Sequence, residues 1–190
     1  LSYFEESELN FTLEQVTNDT YLKTYDIESP IINSSDLLET SLKIGATREN
    51  LSLDLNLEVY EDLSVKKRSD RYEYIFPNYN LIKRFEGNDE SNGTYSFSSS
   101  GYAKNYDTNI LEKIIINDLY FKSNSMFNDN GIKSNYNFLI KNINTDANNS
   151  IKYETKPNHD VKSLIEYNST YPLEKKVGNF SNILKPKISL

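Results

Sequence analysis

His159 is the only histidine in the chain, and it stands in Lys156-Pro157-Asn158-His159-Asp160, a proline-marked, loop-like stretch. Catalysis through an imidazole needs a nucleophile or an orienting carboxylate held against the ring. The sequence offers His159 no identifiable nucleophile, so it reads as a surface side chain. The absence of cysteine removes thiolate nucleophiles, thiolate metal sites and disulfides. Asp107-Thr108-Asn109 and Asn128-Asp129-Asn130-Gly131 have a faint calcium-loop spacing, but neither supplies the bidentate glutamate at the right offset. Turn chemistry accounts better for both. Carboxylates are scattered, a glycine-rich phosphate loop is lacking, and triplets such as Asn92-Gly93-Thr94 arise by chance in an asparagine- and serine-rich chain. The expectation is a protein that is not an enzyme, with no catalytic, cofactor-binding or metal-binding residues and no cofactor.

Composition narrows the class further. The 190 residues carry a net charge of −7, which argues against nucleic acid as a partner, because that affinity rests on basic groups meeting phosphates. The one basic run, Lys66-Lys67-Arg68, lies in a polar loop beside acids. Hydrophobic residues make up 37%, with no long apolar run to span a bilayer as a helix. The aromatic set is 15 tyrosines and 9 phenylalanines with no tryptophan. Tyrosine suits strands and boundaries between apolar and wet surroundings. The chain opens on Leu1 rather than methionine and ends within a strand-like run, so it reads as a fragment, residues 1–190 forming one partial domain.

The elements are most legible at Leu51-Ser52-Leu53-Asp54-Leu55-Asn56-Leu57-Glu58-Val59-Tyr60. Aliphatic residues hold every odd position, so a strand has one oily face and one wet face, whereas a helix would bury Asp54 or Glu58. Similar alternation predicts strands over Glu8–Thr17, Leu37–Ala46, Thr94–Tyr102, Lys133–Ile143, Val161–Tyr171 and Ser181–Leu190. The periodicity of Leu111–Lys122 would also suit a short helix, but its β-branched isoleucines and flanking turns favour a strand. A short strand over Ile151–Thr155 fits within the long connection 144–160. Thr47-Arg48-Glu49-Asn50 makes a tight hairpin turn. Tyr72, Tyr74 and Phe76 share one parity and Tyr79, Leu81 and Phe85 the other. Pro77 lies between them and cannot donate to a ladder, which predicts a strand start, bulge or register change. About nine strands with polar turns signal an all-β sandwich or barrel. Long connections at 18–35, 61–70 and 144–160 alternate with short ones at 47–50 and 86–93, with 103–110 intermediate. Outer-membrane barrels show this asymmetry, though 123–132 interrupts it. Tyr60, Tyr102 and Tyr171 near strand ends fit either an interfacial girdle or ordinary sheet packing.

Three stretches in succession carry a family resemblance: Glu8 to Tyr25 (ELNFTLEQVTNDTYLKTY), Tyr72 to Leu81 (YEYIFPNYNL) and Tyr171 to Leu190 (YPLEKKVGNFSNILKPKISL). In order and spacing the chain resembles the β-barrel of the LptD family of outer-membrane lipopolysaccharide assembly proteins. Within it, Tyr171-Pro172-Leu173 matches a short turn and Leu184-Lys185-Pro186-Lys187-Ile188 a strand start. The resemblance implies an antiparallel up-and-down meander, a curved sheet forming part of a large outer-membrane β-barrel in a Gram-negative cell envelope. It implies non-enzymatic passage of lipopolysaccharide to the outer leaflet, with outer-membrane lipid around the wall and an LptE-like plug lipoprotein inside. Periplasmic bridge proteins would join through a jellyroll domain that these residues do not include. The family's gate lies in terminal strands also missing from this stretch, so gate and plug-contacting residues stay unassigned. The chain departs from better-known members in lacking cysteines, so their disulfide bracing is not carried over to it.

Other readings stay open. A porin or receptor barrel would line a channel with the wet face. A soluble β-sandwich binding module would pack the leucines against a second sheet. A carbohydrate-processing enzyme lacks a convergent acid pair. The barrel reading predicts antiparallel neighbours in one sheet with both edges unpaired. It also predicts Leu51, Leu53, Leu55, Leu57 and Val59 on the convex face, with no second sheet against them.

Overall fold

The computed structural model describes residues 3–25, 34–87, 92–177 and 180–189. Twelve strands, one short α-helix and a single 3-10 turn (Arg68–Asp70) appear among them: β1 (Glu6–Leu13), α1 (Tyr21–Tyr25), β2 (Leu37–Arg48), β3 (Leu51–Asp62), β4 (Tyr72–Glu86), β5 (Gly93–Tyr106), β6 (Ile110–Ser123), β7 (Met126–Phe127), β8 (Lys133–Asn148), β9 (Asn158–Thr170), β10 (Leu173–Val177), β11 (Phe180–Leu184) and β12 (Lys187–Ser189). Nine strands follow one another as hydrogen-bonded neighbours in the order β1-β2-β3-β4-β5-β6-β8-β9-β12. All these pairings are antiparallel. The fold is therefore all-β, an up-and-down meander that does not close within the described residues.

Most predicted strands are present and run longer than expected, because hydrogen-bonded pairing continues where the hydrophobic alternation fades. Leu111–Lys122 is strand, as its isoleucines required. The turn of the first hairpin is Glu49-Asn50, tighter than its predicted bounds. At Pro77, two residues of β4 face one residue on each side: Leu57 of β3 and Ala103 of β5. That one-residue bulge cancels the change of parity, so Tyr74 opposite Val59 and Tyr79 opposite Leu55 share a face.

Four expectations need correction. Ile151–Thr155 is not a strand; β8 and β9 extend further and leave only 149–157 between them. Ser150 there donates to Glu112 on the neighbouring strand face (2.7 Å), which holds the segment over the sheet instead of in it. The polar connection after β1 contains α1, with Leu22 buried beneath it. Pro186 divides the predicted Ser181–Leu190 strand into β11 and β12, and β11 pairs with β10 as a separate hairpin. The alternation of loop lengths is also less regular than predicted. The connection expected to be intermediate at 103–110 is a tight 107–109 turn at the long-loop end, whereas the 124–132 connection interrupts the pattern as expected and carries β7.

The buried apolar material is small: Leu22, Leu38 and Leu63 form a cluster with Val16 packed against them, and Ala46, Ile114, Phe121 and Ala147 are buried within the sheet. The accessible surface is 13713 Å². A globular monomer of this mass exposes only about 9,300 Å² by the usual size scaling. The sheet leaves its faces uncovered because every strand contacts its ladder neighbours, and no second sheet packs on it among the described residues. Among the described residues, therefore, the leucines do not pack in a sandwich.

Candidate functional site

Strand pairing sorts the side chains into two faces. Opposite partners point the same way, so Leu9, Phe11 and Leu13 of β1 join Ile44, Leu42 and Thr40 of β2, which join Leu55, Leu57 and Val59 of β3. This oily face continues through Leu81 and Tyr79 of β4, Phe97 of β5, Leu119 of β6 and Ile140 of β8. Leu9, Phe11 and Leu13 are about two-thirds exposed. The opposite face carries ion pairs: Lys43–Glu39 (2.7 Å), Lys104–Glu73 (2.8 Å) and Lys141–Asp118 (2.6 Å). There Glu112 is only 1% exposed, accepting hydrogen bonds from Tyr106 (3.0 Å) and Ser150 (2.7 Å).

The oily band does not run along the hydrogen-bonded rows. From Phe11, the centre of the β1 residues, the row passes Leu42 and Leu57, crosses the bulge and continues through Ala103 to Lys113 and Asp146. Those last two residues form an ion pair at 3.3 Å. From Phe138, the centre of Tyr136, Phe138 and Ile140 on β8, the row runs back through Phe121, Tyr95 and Phe85. It then meets the Glu49-Asn50 turn, where Arg84 N donates to Asn50 O. The band thus shifts eight positions over six pairings, about 1.3 residues per strand. Strands tilted 35–45°, 4.8 Å apart and rising 3.4 Å per residue, require a shift of about 1.0–1.4. A belt at constant height around a barrel, perpendicular to its axis, would be written across tilted strands in this way.

Rings flank the band. Tyr95, Phe121 and Tyr136 contact one another across three neighbouring strands at 4.6 and 5.6 Å, towards the short-turn end. Tyr72, Tyr74 and Phe76 stack at 6.1 Å spacing towards the other end. Lys83 lies on the oily face but its ammonium reaches Asn50 in the turn (2.8 Å). Tyr60 and Tyr102 point to the polar face, sharing the parity of Glu58 and Lys104, so sheet packing accounts for them.

His159 is exposed and opens β9 instead of lying in a loop, with Nδ1 2.7 Å from Asn144 Oδ1. The two calcium-like stretches are turns. Asp107 and Thr108 take φ of 46° and 69°, the left-handed conformation of tight hairpins. Asn128 accepts from the backbone of Asn130 (3.1 Å) and Ile132 (2.8 Å) through Oδ1, which commits that oxygen to the turn.

At the long-loop end the connections are clasped together. Arg71, with its side chain 14% exposed, donates to Asp19 (2.6 Å) and to Val65 O (2.6 Å). Lys67 pairs with Asp70 (2.8 Å), and the Thr108 hydroxyl donates to the same carboxylate. The Arg71 guanidinium holds the Asp19 carboxyl below its ordinary 3.8. Lys67, then Thr108, does the same for Asp70. A depressed folded pKa contributes stability that is complete above the unfolded value and is lost as pH falls through the folded one. Hydrogen exchange of the 63–71 backbone is therefore expected to stay protected down to about pH 4 and to rise in relative terms below it. Protection unchanged down to about pH 2 would show that these pairs do not hold the loop.

No family model matches this chain, and no curated protein matches its sequence. The fold itself fits a β-barrel-type protein. Among the described residues no helix is long and apolar enough to cross a membrane, which says nothing of strands.

Proposed function

We propose that this sheet is part of the wall of an outer-membrane β-barrel that passes lipopolysaccharide to the outer leaflet, as the LptD-like succession of motifs implies. The observation that supports the barrel is the diagonal drift of the oily band, which matches the stagger of tilted strands. Its uncovered aliphatic face suits lipid, and its ion-paired face suits a water-filled lumen. In this reading the acyl chains of the cargo travel beside lipid and the sugar portion follows the polar face. The protein positions and shields the cargo, and no covalent step is required. An LptE-like lipoprotein would occupy the lumen, and periplasmic bridge proteins would deliver the lipid.

Depletion of the protein that carries this chain tests the reading. Newly made lipopolysaccharide is expected to disappear from the cell surface, measured with an impermeant lipopolysaccharide-binding probe, and to accumulate at the inner membrane. Normal surface lipopolysaccharide with slowed uptake of a small hydrophilic solute would replace this reading with a porin or receptor. Recovery of the protein in the aqueous fraction would overturn the membrane assignment altogether.

A further inference from the structure

The oily face contains one break that the drift does not remove. Ser99, Asn117 and Asn142 stand opposite one another on β5, β6 and β8. Ser99 donates to Asn117 (2.8 Å), Asn117 to Asn142 (3.2 Å), and Asn144 to Asn142 (2.5 Å). Tyr79 extends the chain at one end, its hydroxyl 3.1 Å from Ser99, and His159 at the other.

Heights along the barrel axis follow from the drift. The row of Leu57 reaches Lys113 on β6, and three pairings carry four residues of drift. Asn117 therefore stands at the height of Leu57. By the same step Ile115 stands at the height of Val59, whose row passes Tyr74 and Asn105 to Leu111. Ser99 and Asn142 likewise fall within the height spanned by Leu53 to Val59. On β2 and β3 this interval is aliphatic, through Leu42, Ile44, Leu55 and Leu57. On β8 the apolar residues stop at Ile140, followed on that face by Asn142, Asn144, Asp146 and Asn148.

We infer that the wall over β5–β8 meets a locally thinned bilayer, with lipid headgroups and water descending to the Ser99–Asn117–Asn142 ladder. The occupant is lipid: the ladder satisfies most of its own hydrogen bonds, as a polar group within a membrane must, and leaves amide edges for headgroup oxygens and water. A wall with a short apolar height draws the bilayer thinner beside it at modest cost. The inference rests on the reading that the oily face meets lipid, and it makes the two sides of one sheet unequal. Beside β2 and β3 the bilayer is full thickness; beside β6 and β8 the barrier to a polar headgroup is lower.

These 190 residues contain no cysteine, so single nitroxide labels can be placed in them once any cysteines elsewhere in the full-length protein have been replaced. The full-length protein in phospholipid vesicles would be labelled at matched heights: Asn117→Cys against Leu57→Cys, and Ile115→Cys against Val59→Cys. The second pair keeps the ladder residues intact, so it guards against damage from the first. Collision with a water-soluble nickel chelate is expected to be severalfold more frequent at 117 and 115 than at 57 and 59, and collision with oxygen less frequent. Equal, lipid-like values within both pairs would overturn the thinning and leave the membrane reading standing. A label at 57 as accessible to nickel as one at Asp54 would instead overturn the membrane reading. Shielding of 117 and 115 from both reagents would mean that a protein covers the ladder, which also overturns the inference.

Discussion

Arginine in place of Leu55 is expected, on the proposal that the oily face meets lipid, to destabilise the folded protein by about 2–4 kcal/mol, the cost of a cation on a lipid-facing wall near mid-bilayer. The diagonal band extends the expectation to residues distant in sequence. Phe11→Arg and Phe138→Arg should cost similar amounts, since each is central to the oily residues of its strand. Lys113 and Asp146, in the row of Phe11, already carry charge and form an ion pair. Their removal is therefore expected to cost no more than about 1 kcal/mol. Asn56→Arg, on the polar face of the same strand as Leu55, should stay within about 0.5 kcal/mol of the parent. Folding equilibria of the full-length protein in lipid vesicles measure the series. If Leu55→Arg and Asn56→Arg cost the same, the oily face does not meet hydrocarbon. If the costs follow rows instead of the diagonal, the strands are not tilted.

Gly101→Val is the second large effect. A Cβ at Gly101 would press into the backbone carbonyl of Ile114, 3.1 Å from the Tyr79 ring and 3.2 Å from Ile115 Cα. The carbonyl belongs to the β5–β6 ladder and cannot swing away like a side chain. The strands must part or Tyr79 must leave Ser99, so a cost of about 1–3 kcal/mol is expected, as for other overpacked sites. Gly45 is the control: a Cβ there meets only Asp54 Oδ1 at 3.8 Å. Gly45→Val should change stability little. Amide exchange along β5 and β6 reads the difference locally. Equal exchange in the two variants would mean that the sheet yields at Gly101 without losing its ladder.

These two variants separate what each level of structure contributes. Leu55 and Asn56 are distinguishable in the bare sequence, because period-two alternation is local. The same rule located most strands and the first hairpin. Pro77 marked the bulge through chemistry it carries itself, namely its missing N–H. His159 had no nearby nucleophile in sequence, and in the fold its ring hydrogen-bonds to Asn144. The asparagine and aspartate turns likewise followed from short-range side-chain chemistry.

The consequences of pairing lay beyond such reasoning. Gly101 is tightly enclosed only because Ile114 and Tyr79 arrive across two ladders. Ser99, Asn117 and Asn142 are separated by 18 and 25 residues, and each is unremarkable in its own strand. Ile151–Thr155 carries a strand-like pattern, yet it lies in the 149–157 connection, where Ser150 hydrogen-bonds to Glu112, a residue distant in the chain. Alternation along the sequence determined that each strand has an oily side and a wet side. The tertiary structure decided where the oily sides meet, how far each is displaced from the next, and where polar residues interrupt them. Side-chain direction follows from the residue's own backbone, whereas register depends on turn lengths, the Pro77 bulge and partners many residues away.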